Sequence, residues 1–235
     1  MNSLSQDQTL LLGSRDSIEK LSLKEKSRIL IFSDSHGAYN TLFTILNTFG
    51  ESSDALIFCG DGMSDLTKCF EEALYEKKFS NCLPPVVAFV EGNNDTDMYP
   101  CANNKYKPDN GEPYYTQIKV PLNATLTASG HKIFITHGHR YALYDGLDFL
   151  LDAAHEEDAD IVVFGHSHIA GSEIKYPHTL VINPGSCRLP RNLQPPAFAL
   201  LTLEKERPAE DVTFFKLAGS GIKPFIPTEM PGYFF

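Results

Sequence analysis

The sequence lacks three features, and the first is an excess of basic residues. It has 20 Lys and Arg against 30 Asp and Glu, which gives a formal net charge of -10 at pH 7. Proteins that hold duplex nucleic acid contact its phosphates with clustered Lys and Arg, so no stable nucleic-acid binding is expected. A small phosphorylated substrate is compatible with this charge, because bound metal ions would supply local positive charge.

Long apolar runs are the second missing feature, and no run approaches the length needed to cross a bilayer. The segment before residue 28 contains only the short run 10–12, which acidic Asp7 precedes. It therefore lacks the basic and apolar regions of a secretory signal. We expect a cytoplasmic protein that does not associate with membranes.

Paired cysteine motifs are the third missing feature. The five cysteines are odd in number, and no two of them are spaced as C-x-x-C. This pattern favours free thiols in a reducing compartment over disulfides or a zinc-thiolate site.

Short apolar runs are what the chain does contain, and each is typical of a buried strand. They cover residues 29–32, 55–58, 86–90, 133–135 and 161–164. Apolar residues at helical spacing predict helices over 38–49, 66–79 and 145–157. Residues 95–113, rich in Asn, Pro, Gly and Tyr, predict a long loop at the edge where a site would lie.

The chain divides into three parts by pattern. Residues 1–27 are polar and weakly patterned, and we interpret them as an N-terminal extension with a short helix near residues 16–23. Residues 28–216 form the predicted domain. Residues 217–235 are interpreted as a C-terminal tail rich in Pro, Gly and aromatic residues.

Side chains that bind metals follow the apolar runs in turn-like segments. They are Asp34, His36, Asp61, Asn93, His137, His166 and His168. Because each lies just past the end of a predicted strand, we expect all of them along one edge of a sheet, where sites form in open α/β sheets. Mixed oxygen and nitrogen ligands suit Mn, Fe, Zn, Co or Ni better than Ca or Mg.

Each of these residues has another interpretation when it is taken singly. Asp34 and Asp61 precede predicted helices and would serve as N-caps, and a lone His is more often a hydrogen-bonded polar residue than a ligand. Their joint occurrence at strand ends favours the metal site. His131, His155 and His178 lie outside these segments and are predicted to be solvated.

Five ordered motifs resemble those of the calcineurin-like metallophosphoesterases. They are Asp34-Ser35-His36, Gly60-Asp61, Gly92-Asn93-Asn94-Asp95, Thr136-His137-Gly138-His139 and Gly165-His166-Ser167-His168. The later string Asn183-Pro184-Gly185-Ser186, with Pro190-Arg191 and Pro195-Pro196, resembles the small YfcE-like phosphodiesterase branch. The resemblance covers residues 28–216 and implies an α/β fold, a four-layer α/β/β/α sandwich of two packed mixed sheets. A homo-oligomer is an expectation from the family only.

The resemblance also implies a role for each ligand. Asp34, His36 and His168 would hold one divalent ion, whereas Asn93, His137 and His166 would hold a second. Asp61 would bridge the two ions, of which Mn is favoured and Fe, Zn, Ni and Co are alternatives. A hydroxide between the ions would attack phosphorus in line with the leaving group. Spacing alone does not divide the ligands between two ions.

Asn94 departs from the pattern of the superfamily, in which many members have a His that protonates the leaving group. An amide cannot act as an acid, although it can donate a hydrogen bond to a phosphate oxygen. A missing acid costs roughly 10²–10⁴-fold when the leaving group is poor. We therefore predict a preference for diesters or anhydrides with acidic leaving groups, or a proton delivered by water or His139.

Three arginines are candidate contacts for the phosphate. Arg140 follows His139, and Arg188 and Arg191 follow the Asn-Pro-Gly-Ser string. Solvated surface charge is the alternative for each of them.

The predicted function is that of a metal-dependent phosphodiesterase acting on a small phosphorylated substrate. A phosphomonoesterase or a nucleotide pyrophosphohydrolase is the alternative among enzymes. A non-catalytic scaffold is the alternative of another class, because a retromer subunit that resembles this fold is a binding platform with an altered metal site. All the expected ligand positions are filled here, which favours an enzyme.

Overall fold

The computed structural model describes residues 5–103, 114–175, 177–219 and 221–227. Its helices are α1 (Arg15–Leu23), α2 (Tyr39–Phe49), α3 (Met63–Tyr75), α4 (Lys77–Ser80) and α5 (Asp148–Glu156). Its strands are β1 (Leu12–Gly13), β2 (Lys26–Phe32), β3 (Ala55–Phe58), β4 (Val86–Phe89), β5 (Met98–Asn103), β6 (Tyr114–Lys119), β7 (Asn123–Ala128), β8 (His131–Thr136), β9 (Ile161–Val163), β10 (Gly171–Lys175), β11 (Thr179–Asn183), β12 (Ala197–Glu204), β13 (Asp211–Ala218) and β14 (Gly221–Phe225). No helix in these ranges is long and apolar enough to cross a membrane.

The first sheet has the strand order β1-β4-β3-β2-β12-β13-β14. Strands β2, β3 and β4 are parallel, so their carboxyl ends lie at the same edge. Both faces of these strands are covered, which is why they appear in the sequence as continuous apolar runs. The remaining strand pairs of this sheet are antiparallel.

The second sheet has the order β10-β11-β9-β8-β7. Strands β8, β9 and β11 are parallel to one another, and β7 and β10 flank them antiparallel. Ser129 and Gly130 join β7 to β8 with φ of 48° and 81°. Two successive residues with positive φ match the twist of a tight hairpin.

Side chains alternate between the two faces of each strand, so each sheet packs on the other sheet with one face and on helices with the other, which gives four layers. Ile31 of β2 and Ile135 of β8 belong to the core between the two sheets. On the outer face of the first sheet, Leu42 of α2 and Phe70 of α3 are fully buried. Leu150 of α5 is buried on the outer face of the second sheet. The predicted α/β/β/α sandwich of two mixed sheets is confirmed.

The candidate ligands come from the ends of two sheets, so the expectation of a single sheet edge is wrong. Asp34, Asp61 and Asn93 follow strands of the first sheet, whereas His137 and His166 follow β8 and β9 of the second. An apolar run buried on both faces looks the same in either sheet, and the sequence pattern does not distinguish them.

The predicted loop over 95–113 contains a strand instead. Strand β5 pairs antiparallel with β6 as a separate ribbon, and Cys101 and Ile118 of that ribbon are buried in the core that α3 covers. Because β5 contains Pro100 and polar residues, its sequence shows no alternation of apolar and polar positions that would predict a strand. Residues 104–113 of the predicted loop lie outside the described residues.

Both ends of the chain carry strands of the first sheet. Leu12 of β1 is fully buried and pairs with Val87 of β4. Ser14 caps α1, accepting the N–H of Ser17 at 3.0 Å. Within the predicted tail 217–235, β14 pairs with β13, and residues 220 and 228–235 lie outside the described ones. The division of the chain at residues 28 and 216 stays a prediction.

His131 corrects one prediction about the histidines. It is only 9% exposed, and its Nδ1 contacts Oδ2 of Asp160 at 2.5 Å. The prediction that it is solvated is wrong, because the hairpin turn before it packs on α1, where the N–H of Ser129 donates to the carbonyl of Leu21 at 3.0 Å. His155 and His178 are exposed, as predicted.

Candidate metal centre

The loops that follow the parallel strands of the two sheets meet at one end of the sandwich. The N–H of Asp34 donates to the carbonyl of Gly60 at 2.9 Å, and the N–H of His36 donates to the carbonyl of Asp61 at 3.1 Å. These bonds join the loops after β2 and β3. The N–H of His166 donates to Oδ2 of Asp34 at 3.1 Å, which joins the two sheets.

Left-handed backbone conformations are concentrated in these loops. The candidate ligands with φ between 43° and 63° are Asp34, His36, Asp61, His166 and His168. Such conformations are uncommon for residues other than glycine. Each costs on the order of 1–3 kcal/mol, and they cluster at functional sites, where the surrounding structure holds them.

One group of ligand atoms comes from Asp34, His36 and His168. Nε2 of His168 lies 3.1 Å from Oδ1 of Asp34 and 3.3 Å from Nε2 of His36. Nδ1 of His168 donates to the carbonyl of Leu189 at 2.6 Å, so in the neutral ring Nε2 carries a lone pair. A lone pair and a carboxylate oxygen that face each other provide two ligands for a cation.

A second group comes from Asp34, Asp61 and His137, whose ligand atoms lie within 4.8 Å of one another. Nδ1 of His137 donates to the carbonyl of Cys59 at 2.6 Å, which again leaves Nε2 as the free nitrogen. That Nε2 lies 3.2 Å from Oδ1 of Asn93 and 3.5 Å from Oδ2 of Asp61.

Asp34 belongs to both groups, and Asp61 of the second group also lies close to His36 of the first. Oδ2 of Asp61 is 3.7 Å from Nε2 of His36 and 3.5 Å from Nε2 of His137. The ring of His166 lies beside this second group, with its centroid 5.1 Å from that of His137. The structure therefore brings all the sequence-predicted ligands together, and the division of roles between two ions stays a prediction.

The chemistry of these donors fits divalent metal ions. Oδ1 of Asp34 is buried and has no hydrogen-bond partner among the described residues. Its 3.1 Å contact with Nε2 of His168 is not a hydrogen bond when the proton of that ring lies on Nδ1. A buried carboxylate needs compensation by positive charge, and a bound cation would provide it.

The protonation of the site follows from burial and neighbouring charge. Burial alone would raise the pKa of Asp61, but the hydrogen bond and charge of His137 in its protonated form, and hydrogen bonds from Asn94, hold this pKa well below its ordinary value. Burial, followed by the charge of His137, lowers the pKa of His166 to about 4. Burial would also lower the pKa of His168, but the hydrogen bond that the protonated ring makes to Asp34 and the charge of Asp34 raise it.

Asn94 contacts the carboxylate of Asp61 through two donors. Its backbone N–H donates to Oδ1 at 2.8 Å, and its side-chain Nδ2 donates to Oδ2 at 2.6 Å. The amide thus holds the carboxylate that lies close to both His36 and His137. Its predicted contact with a substrate stays a prediction.

The other predicted contacts surround the histidine rings. The ring centroid of His139 lies 5.4 Å from that of His137, and its buried Nδ1 has no hydrogen-bond partner among the described residues. Burial, then the charges of His137 and Arg140, lower the pKa of His139. Nη1 of Arg188 donates to the carbonyl of His36 at 2.8 Å. The backbone N–H of Arg191 donates to the carbonyl of His168 at 3.1 Å.

Several residues that hold these loops were not predicted. Oγ of Ser186 donates to the carbonyl of Asp34 at 2.7 Å, and Nδ2 of Asn183 donates to the carbonyl of Gly165 at 2.9 Å. Oδ2 of Asp65 accepts the hydroxyl of Ser35 at 2.6 Å and the N–H of Gly37 at 2.8 Å. The Asn-Pro-Gly-Ser string was the signal for the first two, and the position of Asp65 just before the predicted helix 66–79 was a weak signal for the third.

Gly165 allows the two sheets to approach each other at the site. A Cβ at this position would lie 2.1 Å from Oγ of Ser33 and 2.8 Å from Oδ2 of Asp34. Any side chain would therefore push the loop after β9 away from the loop after β2.

Comparisons with known proteins agree with this geometry. The family model described as the calcineurin-like phosphoesterase superfamily domain matches residues 28–206. The chain is 36% identical to the probable metallophosphoesterase YsnB of Bacillus subtilis over 195 residues, which are 83% of this chain and 94% of that protein.

Solved structures have the same fold at low sequence identity. Vacuolar protein sorting 29 from Cryptosporidium parvum superposes with a TM-score of 0.57 at 20% identity, covering 86% of this chain and 97% of that one. A structure described as a novel archaeal phosphodiesterase has a TM-score of 0.51 at 24% identity, with 79% and 98% of the two chains covered.

Proposed function

The chain belongs to the calcineurin-like phosphoesterase superfamily, and on that premise we propose that it is a phosphodiesterase that uses two divalent metal ions. Asp34, His36 and His168 would hold one ion, and Asn93, His137 and His166 the other, with Asp61 between them. Oxygen and nitrogen donors in one site favour Mn²⁺, with Fe, Zn, Ni and Co as alternatives.

The observation that carries this proposal is the arrangement of acceptor atoms around two carboxylates. Nε2 of His168 and Nε2 of His137 face Asp34 and Asp61, and each of the two rings donates its other nitrogen to a backbone carbonyl. Without a cation, the buried Oδ1 of Asp34 would face the lone pair of His168 Nε2 and would lack a hydrogen-bond partner among the described residues. Such an arrangement costs free energy and supports a site built for positive charge.

When bound, the two ions would supply Lewis-acid polarisation of the phosphate ester and an activated nucleophile near neutral pH. The chain's own residues would orient the substrate. The ring of His139, whose centroid lies 5.4 Å from that of His137, would contact an ester oxygen. The guanidinium of Arg188, held by the carbonyl of His36, brings a positive charge to the edge of the site for the equatorial phosphate oxygens.

Asn94 supports a diester rather than a monoester with a poor leaving group. Its amide donates to Asp61 and has no proton to transfer to a departing alkoxide. A diester or anhydride whose leaving group is acidic does not need that proton. We propose this substrate class because the cost of a missing acid falls as the leaving group becomes more acidic.

Chromogenic esters test the proposal. The purified protein is incubated with Mn²⁺ and either bis(p-nitrophenyl) phosphate or p-nitrophenyl phosphate, and its metal content is measured in the same samples. We expect bound Mn²⁺ and a higher kcat/KM for the diester. A higher kcat/KM for the monoester would favour a phosphomonoesterase.

Two matched variants distinguish the loss of a metal ligand from the general effect of removing one negative charge. Asp34→Asn should abolish turnover and metal binding, whereas Asp16→Asn should change neither, because Asp16 is an exposed residue paired with Lys20 on α1. If the wild-type protein binds no metal ion and hydrolyses neither ester, the account of an enzyme is wrong and a binding protein with this fold is favoured.

A further inference from the structure

Asp95 is the last residue of the third motif, and it has the largest set of backbone contacts near the site. Its Oδ2 accepts the N–H of Asp61 at 2.7 Å and the N–H of Gly92 at 3.1 Å. Its Oδ1 accepts the N–H of Gly62 at 3.1 Å and the N–H of Met63 at 2.9 Å. One carboxylate therefore connects the loop after β4 to the loop after β3.

The backbone of Asp61 needs this connection, because it has φ of 58°. Its N–H is bound by Asp95, and its carbonyl accepts the N–H of His36 at 3.1 Å. A left-handed conformation persists only when neighbouring groups determine it. Asp95 thus fixes one end of the peptide unit that carries the carboxylate of Asp61.

The side chain of Asp61 is held from the same loop. Asn94 donates its backbone and side-chain N–H groups to the two oxygens of Asp61 at 2.8 and 2.6 Å. Gly92 makes this approach possible, since a Cβ there would lie 2.1 Å from Oδ1 of Asp61. Asp61 and the segment from Gly92 to Asp95 therefore hold each other through bonds in both directions.

We propose that Asp95 is a positioning residue that places the Asp61 carboxylate close to the ligand nitrogens of both His36 and His137. This inference rests on the proposed two-metal function, and it assigns a role to a residue that contacts neither ion nor substrate. Changes to groups that orient metal ligands typically cost roughly 10–100-fold in metal affinity or activity, and we expect a loss of that size.

A purely structural role is the alternative that the test must exclude. Gly62 precedes α3 and provides no side-chain cap, so Asp95 also caps this helix from another loop by accepting the N–H groups of Gly62 and Met63. Loss of a cap alone would lower stability and leave the number and affinity of bound ions unchanged in the folded protein.

The test compares Asp95→Asn, Asp95→Glu and Asp97→Asn with the wild-type protein. The Asn variant places an amide N–H₂ against backbone donors, and the Glu variant keeps the charge but moves the carboxylate by one methylene. Asp97→Asn is the control for charge, since Asp97 is exposed two residues away. Mn²⁺ titration calorimetry gives the number and affinity of ions, and Mn²⁺ electron paramagnetic resonance reports the exchange coupling of an ion pair.

We expect both Asp95 variants to bind the Mn²⁺ pair roughly 10–100-fold more weakly, with a reduced coupling signal, at a temperature where circular dichroism shows them folded. Asp97→Asn should match the wild type. Wild-type Mn²⁺ affinity and coupling in Asp95→Glu would overturn the inference. If Asp95→Asn does not fold, the result for Asp95→Glu alone decides whether the inference holds. If the wild-type chain binds no Mn²⁺ pair, the proposed function itself fails, and the positioning role fails with it.

Discussion

Asp61 is the residue on which the account depends most. Its Oδ2 lies within 3.7 Å of Nε2 of both His36 and His137. A protonated His137 and the hydrogen bonds from Asn94 help to keep Asp61 ionised. Replacement by Asn would preserve the shape of the side chain and remove the negative charge. The effect of Asp61→Asn therefore measures charge at this position rather than packing.

Changes to groups that orient metal ligands cost up to roughly 100-fold in activity. Asp61→Asn removes a proposed ligand itself, so it should lower kcat/KM for a diester by more than that. It should also reduce the number of bound Mn²⁺ ions. Steady-state kinetics and metal analysis of the same preparation check this. A variant with two bound ions and near wild-type turnover would show that Asp61 does not bridge them.

Asn94→His tests the hypothesis that the site lacks a general acid for the leaving group. A general acid contributes roughly 10²–10⁴-fold when the leaving group is poor, so the variant should raise turnover of alkyl esters relative to p-nitrophenyl esters. The gain should be at the low end of that range, because His would not reproduce the donor that Asn94 gives to Asp61. An unchanged ratio of the two rates would contradict the argument.

Ligand types could be predicted at the residue scale, but their supporting contacts could not. Asp34 and His137 stand out in the sequence because metal-binding side chains follow apolar runs. Ser186 and Asp95 lie in motifs that stand out, but their roles could not be predicted, because they bind backbone atoms. Ser186 reaches the carbonyl of Asp34 across 152 positions, and Asp95 reaches the N–H of Asp61 across 34. Such contacts depend on the path of the folded chain.

At the scale of elements, the site depends on the close approach of loops from two sheets at Gly165, which has no side chain. Gly165→Ala should lower the free energy of unfolding by about 1–3 kcal/mol, the usual cost of overpacking, because its Cβ would meet Ser33 and Asp34. The same change should weaken Mn²⁺ binding, since it displaces the loop that carries His166. Chemical denaturation and metal titration measure the two effects.

Gly219→Ala is the matched control for that change. A Cβ at Gly219 meets no atom within 4 Å, so the free energy of unfolding should change by no more than about 0.5 kcal/mol. Equal losses of stability in the two variants would mean that close approach at Gly165 is not the cause.

Strands were predicted where apolar residues form a clear pattern and missed where Pro, Gly and polar residues interrupt it. The run 55–58 coincides with β3, which is buried at every position. Strand β5 contains Pro100, and the edge strand β14 contains Gly221 and Pro224. Proline and glycine are tolerated at such edges because one side of the strand makes no ladder bonds. Pairing to a neighbour, rather than local propensity, forms these strands.

At the scale of the whole molecule, ions at the site would link loops of both sheets. Binding that is specific to the folded state adds about 2.7 kcal/mol at a free ligand concentration 100 times the dissociation constant. Removing the metal with a chelator should therefore lower Tm by about 5–10 °C in a protein of this size. Added Mn²⁺ should restore it. A Tm that does not respond to chelator or to Mn²⁺ would contradict strong metal binding.

The four-layer architecture was predictable because the ordered motifs resemble those of the calcineurin-like metallophosphoesterases, and that resemblance implies the sandwich. The assignment of each strand to a sheet was not predictable from burial alone. Ile57 in the first sheet and Ile161 in the second are equally buried and contribute to the same core. The parallel pairing of β8 with β9 brings together the loops that carry His137 and His166.

Anomalous diffraction from crystals loaded with Mn²⁺ tests the central claim most directly. The account predicts two anomalous peaks about 3.5–4 Å apart, one beside Asp34, His36 and His168 and the other beside Asn93, His137 and His166, with Asp61 contacting both. A single peak, or no peak at the end of the sandwich where these loops meet, would contradict a two-metal phosphoesterase.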